Sequence, residues 1–190
     1  AIRSRGLGDV YKRQVPEVHP ELLTLFVLLW GVLIIFVTLY PRGQKIYNRH
    51  SILALLGLLL LSGGWLGFVS IISIEGDSGK YWIVWMLLLT TCIDVGAFFG
   101  GRVLGKRKLA PRVSPAKTIE GSLSGVILGT LICSPIAITF FAMSLVGSIL
   151  LTLGLSVIAI FGDLVESLIK RLSGVKDSGS ILPGHGGVLD

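Results

Sequence analysis

Five runs of mostly apolar residues, at 21–40, 51–74, 81–104, 121–143 and 145–168, decide what this chain can fold into. At about 1.5 Å of helix per residue, each is long enough to cross a hydrocarbon core about 30 Å thick. No water reaches the backbone there, so amides must bond within their own segment, and nothing in the sequence alternates like a barrel strand. The expected fold is all-α, a polytopic integral membrane bundle with about five transmembrane helices. Composition agrees. The chain is 52% hydrophobic and 15% charged, with a mean hydropathy of +0.82, whereas soluble domains carry about 25% charged residues.

Between the runs, the basic residues sit in short connections. Arg42, Lys45 and Arg49 follow the first run, and "GKRKLAPRVSPAKT" follows the third, whereas the second connection holds Glu75, Asp77 and Lys80 and the fourth, "AMSL", is uncharged. Basic and non-basic loops alternate, as the positive-inside rule requires of consecutive spans. The basic loops and the carboxyl-terminal segment are therefore expected on the cytoplasmic side. This placement favours anionic ligands at a membrane surface over nucleic acid. Cys92 and Cys133 lie inside apolar runs without metal-ligand spacing and read as small buried hydrophobes. Residues 1–14, "AIRSRGLGDVYKRQ", are set apart as a non-native or disordered tail, and 15–190 are expected to form one incomplete membrane domain.

Ionisable groups inside spans are costly and call for a partner or a function. Asp163, Glu166, Ser167 and Lys170 share one face of the last helix, being three, four and seven positions from the first. As plain structure this stripe is an intramembrane salt bridge. Beyond it, however, come Arg171, Lys176, Asp177, the "PGHGG" loop and Asp190. Grouped carboxylates suit a hard divalent cation, and Lys, Arg and glycine-rich backbone suit phosphate oxygens. The combination points to phosphoryl or nucleotidyl chemistry, although no Walker A or GxGxxG pattern occurs. His185, flanked by glycines, reads as a phosphate donor or orienting group. Zinc is disfavoured, because His19 and His50 have no ligand-like spacing to it. In the basic loop, Ser114 is expected to cap the fourth helix with Pro115 at an early helical position, so that Ser114, Lys117 and Thr118 would form an anion site at a helix start.

With these residues in view, the segment "SLIKRLSGVKDSGSILPGHGGVLD" resembles the signature of the phosphatidate cytidylyltransferase (CDP-diacylglycerol synthase) family at every position present. The stretches "DVGAFFGGRVLGKRKLAPRVSPAKTIEG" and "GDLVESLIKR" are similar to the family's upstream and metal-site segments. The family pattern continues past Asp190 with Arg and a second Asp, and the resemblance implies further spans on both sides.

The resemblance implies that CTP and phosphatidate give CDP-diacylglycerol and pyrophosphate, with Mg²⁺ or another divalent cation. It implies Asp163 and Asp190 as metal ligands with Glu166 beside them. Lys170, Arg171 and Lys176 would bind phosphates, with Asp177 orienting one of those cations and His185, Gly186 and Gly187 lining them. Ser114, Lys117, Thr118 and Arg102 would close the site, with Glu120 orienting Lys117. Asp94 is left open between cavity wall and helix glue. The implied partners are CTP, phosphatidate and membrane lipid, without nucleic acid, a homodimer is left open, and the implied location is a bacterial inner membrane with the site facing the cytoplasm. A CTP-dependent lipid or polyprenol kinase is the enzyme alternative, and would release CDP. A transporter of anionic solutes would need polar residues along several spans, whereas here they gather towards one face.

Overall fold

The computed structural model describes residues 20–42, 50–74 and 77–175. Among them run α1 (Pro20–Leu39), α2 (His50–Ile72), α3 (Ser78–Leu104), β1 (Lys108–Ala110), β2 (Ser114–Thr118), α4 (Ile119–Phe141) and α5 (Leu145–Leu172). Four helices, α2 to α5, are long and apolar enough to cross a membrane, while the apolar stretch of α1, Thr24–Leu39, is shorter. Their outward faces are largely apolar: Leu58, Trp65, Val84, Val103, Leu131 and Leu150 are all exposed. A helix apolar around its whole circumference is at home in lipid, or against further helices, and not in water.

The centre of the bundle is the α3–α4 pair, which packs through small residues. A Cβ added at Gly96 would stand 2.8 Å from Cα of Gly125 and 2.9 Å from the Ser124 carbonyl oxygen. One added at Gly121 would stand 2.7 Å from the Ala97 carbonyl oxygen and 2.9 Å from Cα of Gly101. Backbones this close gain dispersion contacts that lipid tails cannot supply, and dispersion is the main force available between helices in a bilayer. The sequence "SLSGVILGT" thus lies on the seam. In "SGGWLGF", by contrast, only Gly63 abuts another side chain, that of Phe26, while an added Cβ at Gly64 or Gly67 meets nothing within 4 Å.

Polar side chains tie the remaining contacts. The Trp85 indole N–H donates to the Cys133 carbonyl at 2.9 Å, joining α3 to α4. Ser134 Oγ and Thr152 Oγ1 share a hydrogen bond of 2.9 Å between α4 and α5, and Ser148, Thr152 and Ser156 are fully buried at successive turns of α5. The Thr152 hydroxyl also bonds the carbonyls of its own preceding turn, so it is not stranded when its partner goes. Ser134→Ala should therefore cost only about 0.6 kcal/mol, the average for an interhelical bond in a bilayer. A thermal unfolding series in detergent measures this, and a cost several times larger would contradict it. Cys92 and Cys133 are both free and buried, as expected.

The end of the bundle that carries the hairpin has its own core. Val113 at the hairpin tip is 3% exposed and packs with Leu33 and Val37 of α1, Leu53 of α2 and Leu164, Val165, Leu168 and Leu172 of α5. The hairpin corrects one sequence expectation. Ser114 and Pro115 do not begin a helix; they lie in β2, antiparallel to β1, with Lys108 opposite Thr118 and Ala110 opposite Ser114. Ala110-Pro111-Arg112-Val113 makes the turn, closed by the Val113 N–H to the Ala110 carbonyl at 3.1 Å, with proline at the second position where its fixed φ fits. The cap of α4 is Thr118, whose hydroxyl accepts from the Gly121 N–H at 3.1 Å.

Candidate active site

A cavity of about 890 Å³ that carries several charged side chains opens between α3, β2, α4 and the second half of α5. Asp94, Ala97, Gly101 and Arg102 form its α3 wall, Lys117 and Thr118 come from β2, and Asp163 and Glu166 come from α5. The three-residue spacing on α5 puts both carboxylates on one helical face, less than one turn apart.

Lys117 is the cation at the centre. Its ammonium pairs with the Asp163 carboxylate, and Asp94 and Glu166 also act on it electrostatically. Burial pushes the Lys117 ammonium down to about 8, the carboxylates of Asp94 and Glu166 oppose that shift, and Lys170 adds to it. The ion pair with Asp163 likewise favours the charged form. A half-desolvated ammonium interacts strongly with the charges beside it, because water screens it poorly. Glu166 is in turn paired with Lys170 at 3.0 Å, one helical turn on. The stripe on α5 is therefore a salt bridge, as its plain structural reading required, and at the same time part of a cavity wall.

The structure brings together Arg102, Lys117, Thr118, Asp163 and Glu166 from the residues singled out in the sequence, and adds Asp94 as cavity wall. Lys170 joins through Glu166. Arg171 lies differently: its Nε–H points to the Val113 carbonyl at 3.4 Å, beside the hairpin tip. Ser114 sits at the far end of β2 from Thr118 and does not line the cavity. Glu120 does not bond Lys117. Its carboxylate instead pairs with Arg107 at 2.8 Å and accepts the backbone N–H groups of Lys106 and Arg107 at 3.1 and 3.0 Å. Lys176, Asp177, His185, Gly186, Gly187 and Asp190 lie outside the described residues. Ser122, whose hydroxyl bonds the Thr118 carbonyl, lines the cavity without having been singled out, one turn into a helix whose start was misplaced.

Gly105 permits the site to close. A Cβ there would run into the Gly101 carbonyl oxygen and stand 3.0 Å from both Cγ2 and Oγ1 of Thr118. The chain leaving α3 is thus pressed against the residue that caps α4, which carries β2 directly over the cavity.

Comparison with known proteins gives this arrangement a family. A sequence model described as the cytidylyltransferase family matches residues 9–190. The chain belongs to the cytidylyltransferase family. Among curated cytidylyltransferases it is 38% identical over 189 residues to the phosphatidate cytidylyltransferase of Haemophilus influenzae, covering 93% of this chain and 65% of that protein. It is 43% identical over 147 residues to that of Helicobacter pylori strain 26695, covering 77% and 53%. With that of Pseudomonas aeruginosa it shares 36% over 182 residues, covering 93% and 65%. The chain therefore spans about half to two thirds of the length of the curated relatives it matches. No solved structure matches it.

Among the described residues, no group of three or more His, Cys, Asp or Glu is placed to hold a metal ion. Asp163 and Glu166 still suit one chemically. They are oxygen donors on one helical face, held by ammonium groups, and Mg²⁺ commonly takes only one or two protein carboxylates and completes its shell with water and phosphate oxygens.

Proposed function

We propose that the protein of which this chain is part is a phosphatidate cytidylyltransferase, joining CTP and phosphatidate into CDP-diacylglycerol and pyrophosphate at the cytoplasmic face of a bacterial inner membrane. The observation that carries the reading is the cavity in which Lys117 stands between Asp94, Asp163 and Glu166 at the end of a membrane bundle. Family membership and the relatives' names support it.

In this reaction a phosphate oxygen of the lipid attacks the α-phosphorus of CTP. The bond from that phosphorus to the bridging oxygen breaks, and pyrophosphate leaves. A phosphomonoester has a second pKa near about 6, so the lipid nucleophile is largely dianionic at neutral pH and needs no general base. The barrier is electrostatic, since two polyanions must meet in line and a third must depart. Lys117, Arg102 and Lys170 offer positive charge around one cavity, in a setting where water screens it poorly. The Thr118 hydroxyl, which accepts from the Gly121 N–H and keeps its own hydrogen to donate, adds an oriented dipole beside it.

Asp163 and Glu166 would hold Mg²⁺, with Asp190 from the segment that follows. Bound there, the ion would draw charge from phosphate oxygens and the leaving pyrophosphate. Until substrate arrives, Lys117 and Lys170 neutralise these carboxylates and keep the acidic wall from repelling itself.

The test is product formation. Membranes carrying the full-length protein, supplied with CTP, Mg²⁺ and phosphatidate, should yield a CDP-lipid and pyrophosphate. Release of CDP with a phosphorylated lipid would indicate a kinase, and solute flux without turnover a transporter.

A further inference from the structure

We propose that Glu120 is a positioning residue that fixes where Lys117 stands, acting through the root of the β-hairpin without touching Lys117. The inference rests on the reading of Lys117 as a phosphate-facing cation.

The hairpin is held at two points. At its tip, Val113 is buried among α1, α2 and α5, and its carbonyl faces Arg171. At its root, Glu120 makes a three-way grip. One carboxylate oxygen accepts the N–H groups of both Lys106 and Arg107, and the other accepts Nε–H of Arg107 at 2.8 Å. Beside this grip the Ile119 N–H donates to the Arg107 carbonyl at 2.9 Å. Glu120 is in the first turn of α4, so the grip ties the start of β1 to a rigid transmembrane helix.

Lys117 belongs to the root and not to the tip. It precedes Thr118, which lies opposite Lys108 in the ladder, whereas the tip end of β2 is Ser114. The register slips between Lys108 and Ala110, so Lys117 lies in the irregular stretch between the two paired positions of the ladder. Without Glu120 two adjacent backbone donors and a guanidinium lose their acceptor together. The tip then stays pinned by Val113 while the start of β1 is freed from α4, and Lys117 on the facing strand loses the backing that holds it towards Asp163. A displacement near 1 Å at such a group is enough to cost about a hundredfold in rate. The carboxylate is well placed for this role, because from α4 it meets both N–H groups and the guanidinium at once.

The experiment is a double-mutant cycle on the full-length protein in lipid nanodiscs, reading kcat/KM for CTP. Glu120→Ala should lower kcat/KM about tenfold or more when Lys117 is present, and less than twofold when Lys117 is already Met. Glu120→Gln, which keeps one oxygen able to accept the backbone N–H groups, should fall between. An equal loss in both backgrounds, or no loss in the first, would overturn the proposal. A readout independent of catalysis separates its failure from that of the proposed reaction. In a background with Cys92 and Cys133 replaced by Ser, Lys117→Cys together with Asp163→Cys should cross-link rapidly with a short bifunctional thiol reagent, and Glu120→Ala should slow this at least fivefold. An unchanged rate would overturn the grip whatever the enzyme's activity.

Discussion

Asp163→Asn in the full-length protein should lower CDP-lipid formation by a factor of about 10² to 10³ while leaving the protein inserted in the membrane, the scale seen when one preorganised electrostatic contact to a transition state is removed. Asp163 is brought to the cavity by the second half of α5, its side chain is half-exposed, and it holds the Lys117 ammonium. The amide keeps the shape and loses the charge. It can neither hold a divalent cation well nor keep Lys117 at its post, so the substitution removes two contributions at once. Binding of Mn²⁺, followed by electron paramagnetic resonance in the absence of substrate, should weaken in parallel. Asp163→Asn with undiminished turnover would contradict the assignment, and weakened turnover with unchanged Mn²⁺ binding would leave Lys117 as the reason and remove Asp163 as metal ligand.

The second large effect concerns the frame that holds the site. Gly125→Ala should destabilise the chain by about 1–3 kcal/mol, the usual cost of forcing extra volume into a packed contact. A Cβ at Gly125 runs into the carbonyl of Ile93 on α3, and backbone cannot rotate away as a side chain can. The helices must part, and with them Asp94 and Arg102 on α3 separate from Lys117 and Thr118 at the start of α4. Gly154→Ala is the matched control, since an added Cβ there meets nothing within 4 Å and alanine is the better helix former. Thermal unfolding in detergent, followed by Trp fluorescence, should show a lowered midpoint for Gly125→Ala and an equal or higher one for Gly154→Ala. Equal behaviour of the two would mean that α3 and α4 are not in backbone contact.

The spans were legible because hydrocarbon imposes a simple rule. An uninterrupted apolar run of the right length has one stable backbone solution in lipid, so α3, α4 and α5 fall within a few residues of their expected limits. The hairpin was not legible for a related reason. Its strands have three and five residues, too few to show alternation, and Ser114-Pro115 imitates the start of a helix as well as Thr118 does. The turn signal Ala-Pro-Arg-Val was present, and decides the matter only once Val113 is seen to be buried.

The site divides in the same way. Asp163 and Glu166 could be placed on one face from helical periodicity alone, because both lie on one rigid element. That Lys117 pairs with Asp163, and that Glu120 grips Arg107 and not Lys117, depends on how β2 crosses the bundle, which no local spacing encodes. Likewise Asp94 is resolved as a cavity wall only by the α3–α4 seam that brings it across from Lys117.

The account turns on which bond of CTP is broken, and isotope position reads that directly. Membranes containing the full-length protein, given phosphatidate and Mg²⁺, should transfer label from CTP carrying ³²P at the α-phosphate into the lipid fraction. With ³²P at the γ-phosphate, all label should remain in water-soluble pyrophosphate. Label from the γ-phosphate appearing in lipid, with none from the α-phosphate, would contradict nucleotidyl transfer and make the cavity the site of a kinase.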